Sequence, residues 1–101
     1  MTDITQGFIE LGIKQASLCR ENPTAYINTL VTANSQRLVL MNVYGSMVRQ
    51  GLLKKIEDME ESEKRSYWQM AKADAGGRLP EDKLKMLCRC LYCLDHLLSN
   101  Y

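Results

Sequence analysis

Leu84-Lys85-Met86-Leu87-Cys88-Arg89-Cys90-Leu91-Tyr92-Cys93-Leu94-Asp95-His96-Leu97-Leu98 is the stretch that decides the fold class. Leu84, Leu87, Leu91, Leu94 and Leu98 recur in steps of three and four, the period of one helical face. Leu79-Pro80-Glu81-Asp82 comes just before and reads as a start signal. Pro80 is expected at the first helical position, followed by acids that complement the helix dipole. A helix over 81–98 follows. Its leucine seam covers about two heptads, whereas a long coiled coil needs three or four. The stretch therefore reads as the closing helix of a bundle, with homodimer formation through the leucine stripe as a second role.

Moving toward the N-terminus, Gly76-Gly77 supplies a stop. It ends a helix that starts at Asp58 or Ser62 and reaches Ala75. Residues 36–50 form the most apolar segment. Leu38, Met41, Gly45, Val48, Leu52 and Ile56 share one stripe, and Val39, Leu40, Val43, Tyr44 and Met47 cover much of the remainder. A helix that is apolar most of the way round is central and buried. Leu38-Val39-Leu40 alone is strand-like, but the pattern does not alternate and no second strand exists to pair with it.

Asn22-Pro23 marks a helix start, with Asn at the N-cap and Pro at the first position, and predicts a helix over 23–33. Before it lies a first helix, capped by Thr2 or Asp3 with Gln6 completing a capping-box-like pattern. Ile4, Phe8, Leu11, Leu18 and Cys19 form one stripe of that helix, and Ile9, Ile13 and Ala16 a second. Gly7 and Gly12 each weaken it by about 1 kcal/mol relative to Ala, so tertiary packing must hold it. The fold class is all-α: a compact bundle of four to five helices in one domain, 1–101.

The 101 residues carry 13 basic and 12 acidic side chains. Residues 1–50 hold four basic and three acidic groups, and residues 51–101 nine of each. Neither half is a basic module, which argues against phosphate neutralisation as a binding mode. The acidic run Glu57, Asp58, Glu60, Glu61 and Glu63 is flanked by Lys54, Lys55, Lys64 and Arg65 and reads as a solvated helix face. MTDITQGFIELG lacks the pattern of a signal peptide, and no apolar stretch suits a membrane span. These features lead to the expectation of a cytoplasmic protein whose four cysteines are free.

Cys88, Cys90, Cys93 and His96 lie within nine residues and raise the question of zinc. On one helix, Cys88 and Cys93 point about 140° apart, whereas a structural zinc site needs four converging ligands. Cys90, Cys93 and His96 are the set to consider if any metal binds. The favoured reading has no metal and no cofactor, with Cys88 a small core residue, Cys90 flanking the leucine stripe and Cys93 facing outward. A redox role for Cys90 and Cys93 lacks the usual strand-to-helix setting. His96 and Asp95 diverge by about 100°, so no catalytic pair forms between them. There is no phosphate cradle. The expectation is a protein that is not an enzyme.

Two charges fall on apolar stripes. Arg49 and Asp95 could pair across the bundle, or both could reach out at an edge. Tyr67 and Trp68 are adjacent and diverge, so one core cannot easily bury both. With Lys64 and Arg65 they form the candidate partner-binding residues, because Trp, Tyr and Arg are enriched at interface hot spots. Six methionines suit adaptable surfaces but read mainly as core. The favoured function is a small protein-interaction module (an adaptor, an inhibitor or a chaperone-like modulator) that binds a larger protein. The alternatives are a helix-turn-helix nucleic-acid regulator approaching phosphate with Lys83, Lys85 and Arg89, and a cysteine-cluster metal or redox sensor.

Overall fold

Each predicted helix has a physical start or stop in the structure, a computed structural model that describes residues 4–101, with side chains from Gln6 onward. The proposed cap by Thr2 or Asp3 lies outside the described residues. Helix α1 spans Ile4–Glu21. Asn22 Oδ1 accepts a hydrogen bond from the Ala25 N–H at 3.2 Å and, with Pro23 behind it, starts α2, Pro23–Thr32. Helix α3, Asn34–Arg49, follows after one residue. Gly51, at φ +74°, turns the chain out of α3, and the Leu52 N–H closes on the Met47 carbonyl at 2.9 Å. A 3₁₀ turn, Ile56–Asp58, leads into α4, Glu61–Ala75, which Gly76 ends as expected. Helix α5 is Glu81–Asn100. Pro80 stands at its N-cap rather than its first turn, because the Pro80 carbonyl already accepts the Leu84 N–H.

Over the described residues the protein is an all-α bundle of five helices whose buried apolar side chains form one cluster. Helix α5 packs against α1, α3 and α4, while α2 closes the end formed by α1 and α3. Leu87, Cys90, Cys93 and Leu97 of α5 are fully buried, and Leu91 and Leu94 nearly so. The middle of the leucine stripe is therefore used inside the chain's own bundle, while Leu84 and Leu98 at its ends are partly buried. Cys93 does not face outward as expected. Its position is covered because α5 is enclosed on more than its leucine side.

The faces of α1 and α3 also differ from the sequence reading. On α1 the core face runs through Ile9, Gly12, Ala16 and Cys19, while Leu18 and Ile13 are exposed. On α3 it runs through Arg37, Leu40, Val43, Tyr44 and Met47. The expected stripe is split: Leu38 at 46% and Leu52 at 43% are exposed, Met41 and Val48 are half-buried against the core, and Ile56 beyond the helix is buried. A wheel that is apolar most of the way round does not say which side meets the neighbours. Here Gly12 decides it, because a missing side chain lets α1 come down onto Val43 of α3 and Leu97 of α5.

Candidate functional site

The segment between α3 and α4 has no regular structure beyond its 3₁₀ turn, yet side chains fix it at several points. Leu53 and Ile56 are buried. The Tyr92 hydroxyl donates to the Lys54 carbonyl at 2.6 Å, and the Ile56 N–H donates to the Tyr44 hydroxyl at 3.0 Å. Lys64 Nζ donates to the Glu57 carbonyl at 3.0 Å, and the Arg89 guanidinium pairs with the Glu57 carboxylate. Hydrogen bonding from Arg89 holds the Glu57 carboxyl below its ordinary range.

This pinned segment, α4 and α5 enclose a groove of about 270 Å³. Ile56, Trp68 and Cys88 give it apolar walls, and Lys64, Lys85 and Arg89 stand around them with Glu57. A second groove of about 570 Å³ shares Glu57 and Arg89 with the first and is lined further by Tyr44, Gly45, Val48, Arg49, Lys55 and Asp58. Of the four candidate partner-binding residues, Trp68 and Lys64 reach the first groove and Arg65 is exposed away from its walls. Tyr67 turns the other way. Its ring packs on Tyr92 with centroids 5.4 Å apart, and Tyr92 meets Tyr44 at 6.2 Å. Burial, and next the charge of Asp95, push the Tyr67 hydroxyl above its ordinary pKa.

Sequence reading missed Ile56, Glu57 and Cys88 as groove residues. They come from the loop and from the edge of the leucine face, and no spacing rule connects them to Trp68. Lys85 and Arg89 were visible as one cationic edge of α5. The proposed Arg49–Asp95 pair does not form: Arg49 is exposed beside the second groove, and Asp95 faces Tyr67. The buried charge on α3 is instead Arg37, 4% exposed, which donates to the Leu30 and Val31 carbonyls at 2.7 and 2.8 Å. It therefore satisfies the last turn of α2, where a cation also suits the dipole.

The cysteines do not converge with His96. Among the described residues, no group of three or more His, Cys, Asp or Glu is placed to hold a metal ion. Burial raises the Cys90 thiol to about 12, with a smaller contribution from Cys93, and burial alone raises Cys93 to about 12. The thiolate needed for metal binding or thiol exchange is thereby disfavoured at both positions. Cys90 Sγ instead lies 3.4 Å from the Arg37 carbonyl, to which it donates. Among the described residues, no helix is long and apolar enough to cross a membrane. No protein family, curated protein or solved structure matches the chain.

Proposed function

We propose that this protein is a non-enzymatic interaction module, an adaptor, inhibitor or chaperone-like modulator that binds a larger protein through the groove between α4 and α5. One observation carries this reading. The chain's single tryptophan, Trp68, stands partly exposed on an apolar wall with Lys64, Lys85 and Arg89 beside it. Trp and Arg are among the residue types most enriched where a few residues dominate binding. Tyr67, which packs on Tyr92, does not line this groove.

The test is photo-crosslinking in the source cells with a photoreactive side chain at position 68, compared with the exposed position of Lys14 on α1. The expected result is an adduct with one larger polypeptide from position 68 and none from position 14. Trp68→Ala, with its helical circular dichroism retained, should lose co-purification of that polypeptide. Equal adducts from both positions, or none from position 68, would remove this groove as the interaction site.

A further inference from the structure

We infer that the two grooves act as one furrow for an acidic, apolar-anchored segment of the partner protein, with a partner carboxylate replacing Glu57 on Arg89. This inference rests on the interaction reading above and adds the chemistry of the partner.

Charge complementarity carries it. Arg49, Lys55, Lys64, Lys85 and Arg89 line the furrow, and the acids among its walls are Glu57 and Asp58. The whole chain has a formal charge of only +1, so this is a local excess. Arg49 and Lys55 form no ion pair among the described residues. Lys64 and Lys85 meet Glu61 and Glu81 of their own helices at 3.0 and 3.8 Å, and both carboxylates are largely exposed. Such surface pairs contribute little and can rearrange around an incoming anion.

Glu57 is the second observation. It projects from the short 3₁₀ turn, its side chain is 53% exposed, and it already occupies the Arg89 guanidinium. The position therefore accepts a carboxylate, and the resident one sits where a partner's acid would compete for it. The two grooves that share this pair each have apolar surfaces, Ile56, Trp68 and Cys88 in one and Tyr44 and Val48 in the other. A segment occupying both would place an apolar side chain in each and an acid at the Arg89 they share. A nucleic acid fits less well, because apolar walls interrupt the cations and leave no continuous basic stripe to track a phosphate backbone.

Trp68 is an intrinsic reporter because it is the chain's single tryptophan. The intact protein is titrated at low salt with a synthetic peptide alternating Asp and Glu with Leu and Phe. Parallel titrations use the same peptide with Asn and Gln for the acids, and a single-stranded oligo-dT. The acidic peptide should change Trp68 emission saturably, and its amide counterpart should bind about tenfold more weakly. Arg89→Gln should lose about the same factor, and Glu57→Gln, which removes the competitor, should bind several-fold tighter. Equal binding of both peptides, preference for oligo-dT, or weaker binding by Glu57→Gln would overturn the inference. If position 68 still crosslinks to one protein while the acidic peptide fails, the interaction reading stands and the acidic segment falls. If position 68 gives no adduct and the peptide fails, both fall.

Discussion

Gly12 of α1 lies so close to Val43 of α3 that a β-carbon on the glycine would stand 2.7 Å from Val43 Cγ1. It would also lie 3.2 Å from Leu97 Cδ2 of α5. Three helices thus meet at a position where the chain has no side chain, and the approach sets which faces of α1 and α3 are buried.

Gly12 and Gly7 should therefore respond oppositely to alanine. Both substitutions gain helix propensity, worth about 1 kcal/mol. At Gly7 nothing lies within 4 Å, so Gly7→Ala should raise stability by about that amount. At Gly12 the new methyl meets a stiff β-branched side chain that is fully buried. Overpacking costs about 1–3 kcal/mol, so Gly12→Ala should be destabilising on balance. Urea unfolding of the two variants checks the signs.

Arg37 and Ser46 are two buried polar residues of α3 with opposite expectations. Arg37→Met strands the Leu30 and Val31 carbonyls and should lower stability by about 2–3 kcal/mol. Ser46 is fully buried and its hydroxyl has no hydrogen-bond partner. Ser46→Ala removes that unsatisfied group and gains helix propensity, so it should stabilise by about 1 kcal/mol. Calorimetric midpoints should move down for the first and up for the second.

The segment 51–60 should loosen when its tyrosine contacts are removed. Tyr92→Phe deletes the hydroxyl that donates to Lys54, and Tyr44→Phe the one that accepts from Ile56. Each should cost about 1 kcal/mol. Amide exchange should quicken in this segment and at the walls of the furrow, while α1 and α2 remain protected. Uniform loss of protection would mean that these hydroxyls support the whole bundle.

Alkaline pH should weaken the fold in part through its buried thiols. Cys90 and Cys93 ordinarily titrate at 9.0, and burial raises both to about 12 in the folded chain. Below pH 9.0 the thiols are protonated folded and unfolded, so their contribution is fully present. Between 9.0 and about 12 the unfolded chain binds fewer protons than the folded one, so stability falls as pH rises through this window. A Cys90→Ala, Cys93→Ala variant should show a shallower decline across that window. The same burial predicts slow modification of these two thiols by aromatic disulfides at pH 8 until denaturant is added.

Helix existence was legible in local sequence. Asn22-Pro23 and Gly76-Gly77 act through backbone preferences and side-chain caps that need no distant partner. The leucine period of α5 needed only a helix to place Leu87, Leu91 and Leu94 on one buried face. The adjacency of Tyr67 and Trp68 likewise showed that the two rings must part, and in the structure they do.

Tertiary structure alone decided which sides of α1 and α3 meet the core, where Cys93 points, and which cation is buried. Both helices are apolar around much of their circumference, so the pattern supports several rotations, and the Gly12 contact selects one. Arg37 goes inside because the carbonyls at the end of α2 arrive to receive it, an event no spacing on α3 announces. The furrow also belongs to this level. Its Glu57 comes from a loop and its Arg89 from a helix 32 residues later in the chain. Only the packing of α4 and α5 over the pinned segment brings them together beside Trp68.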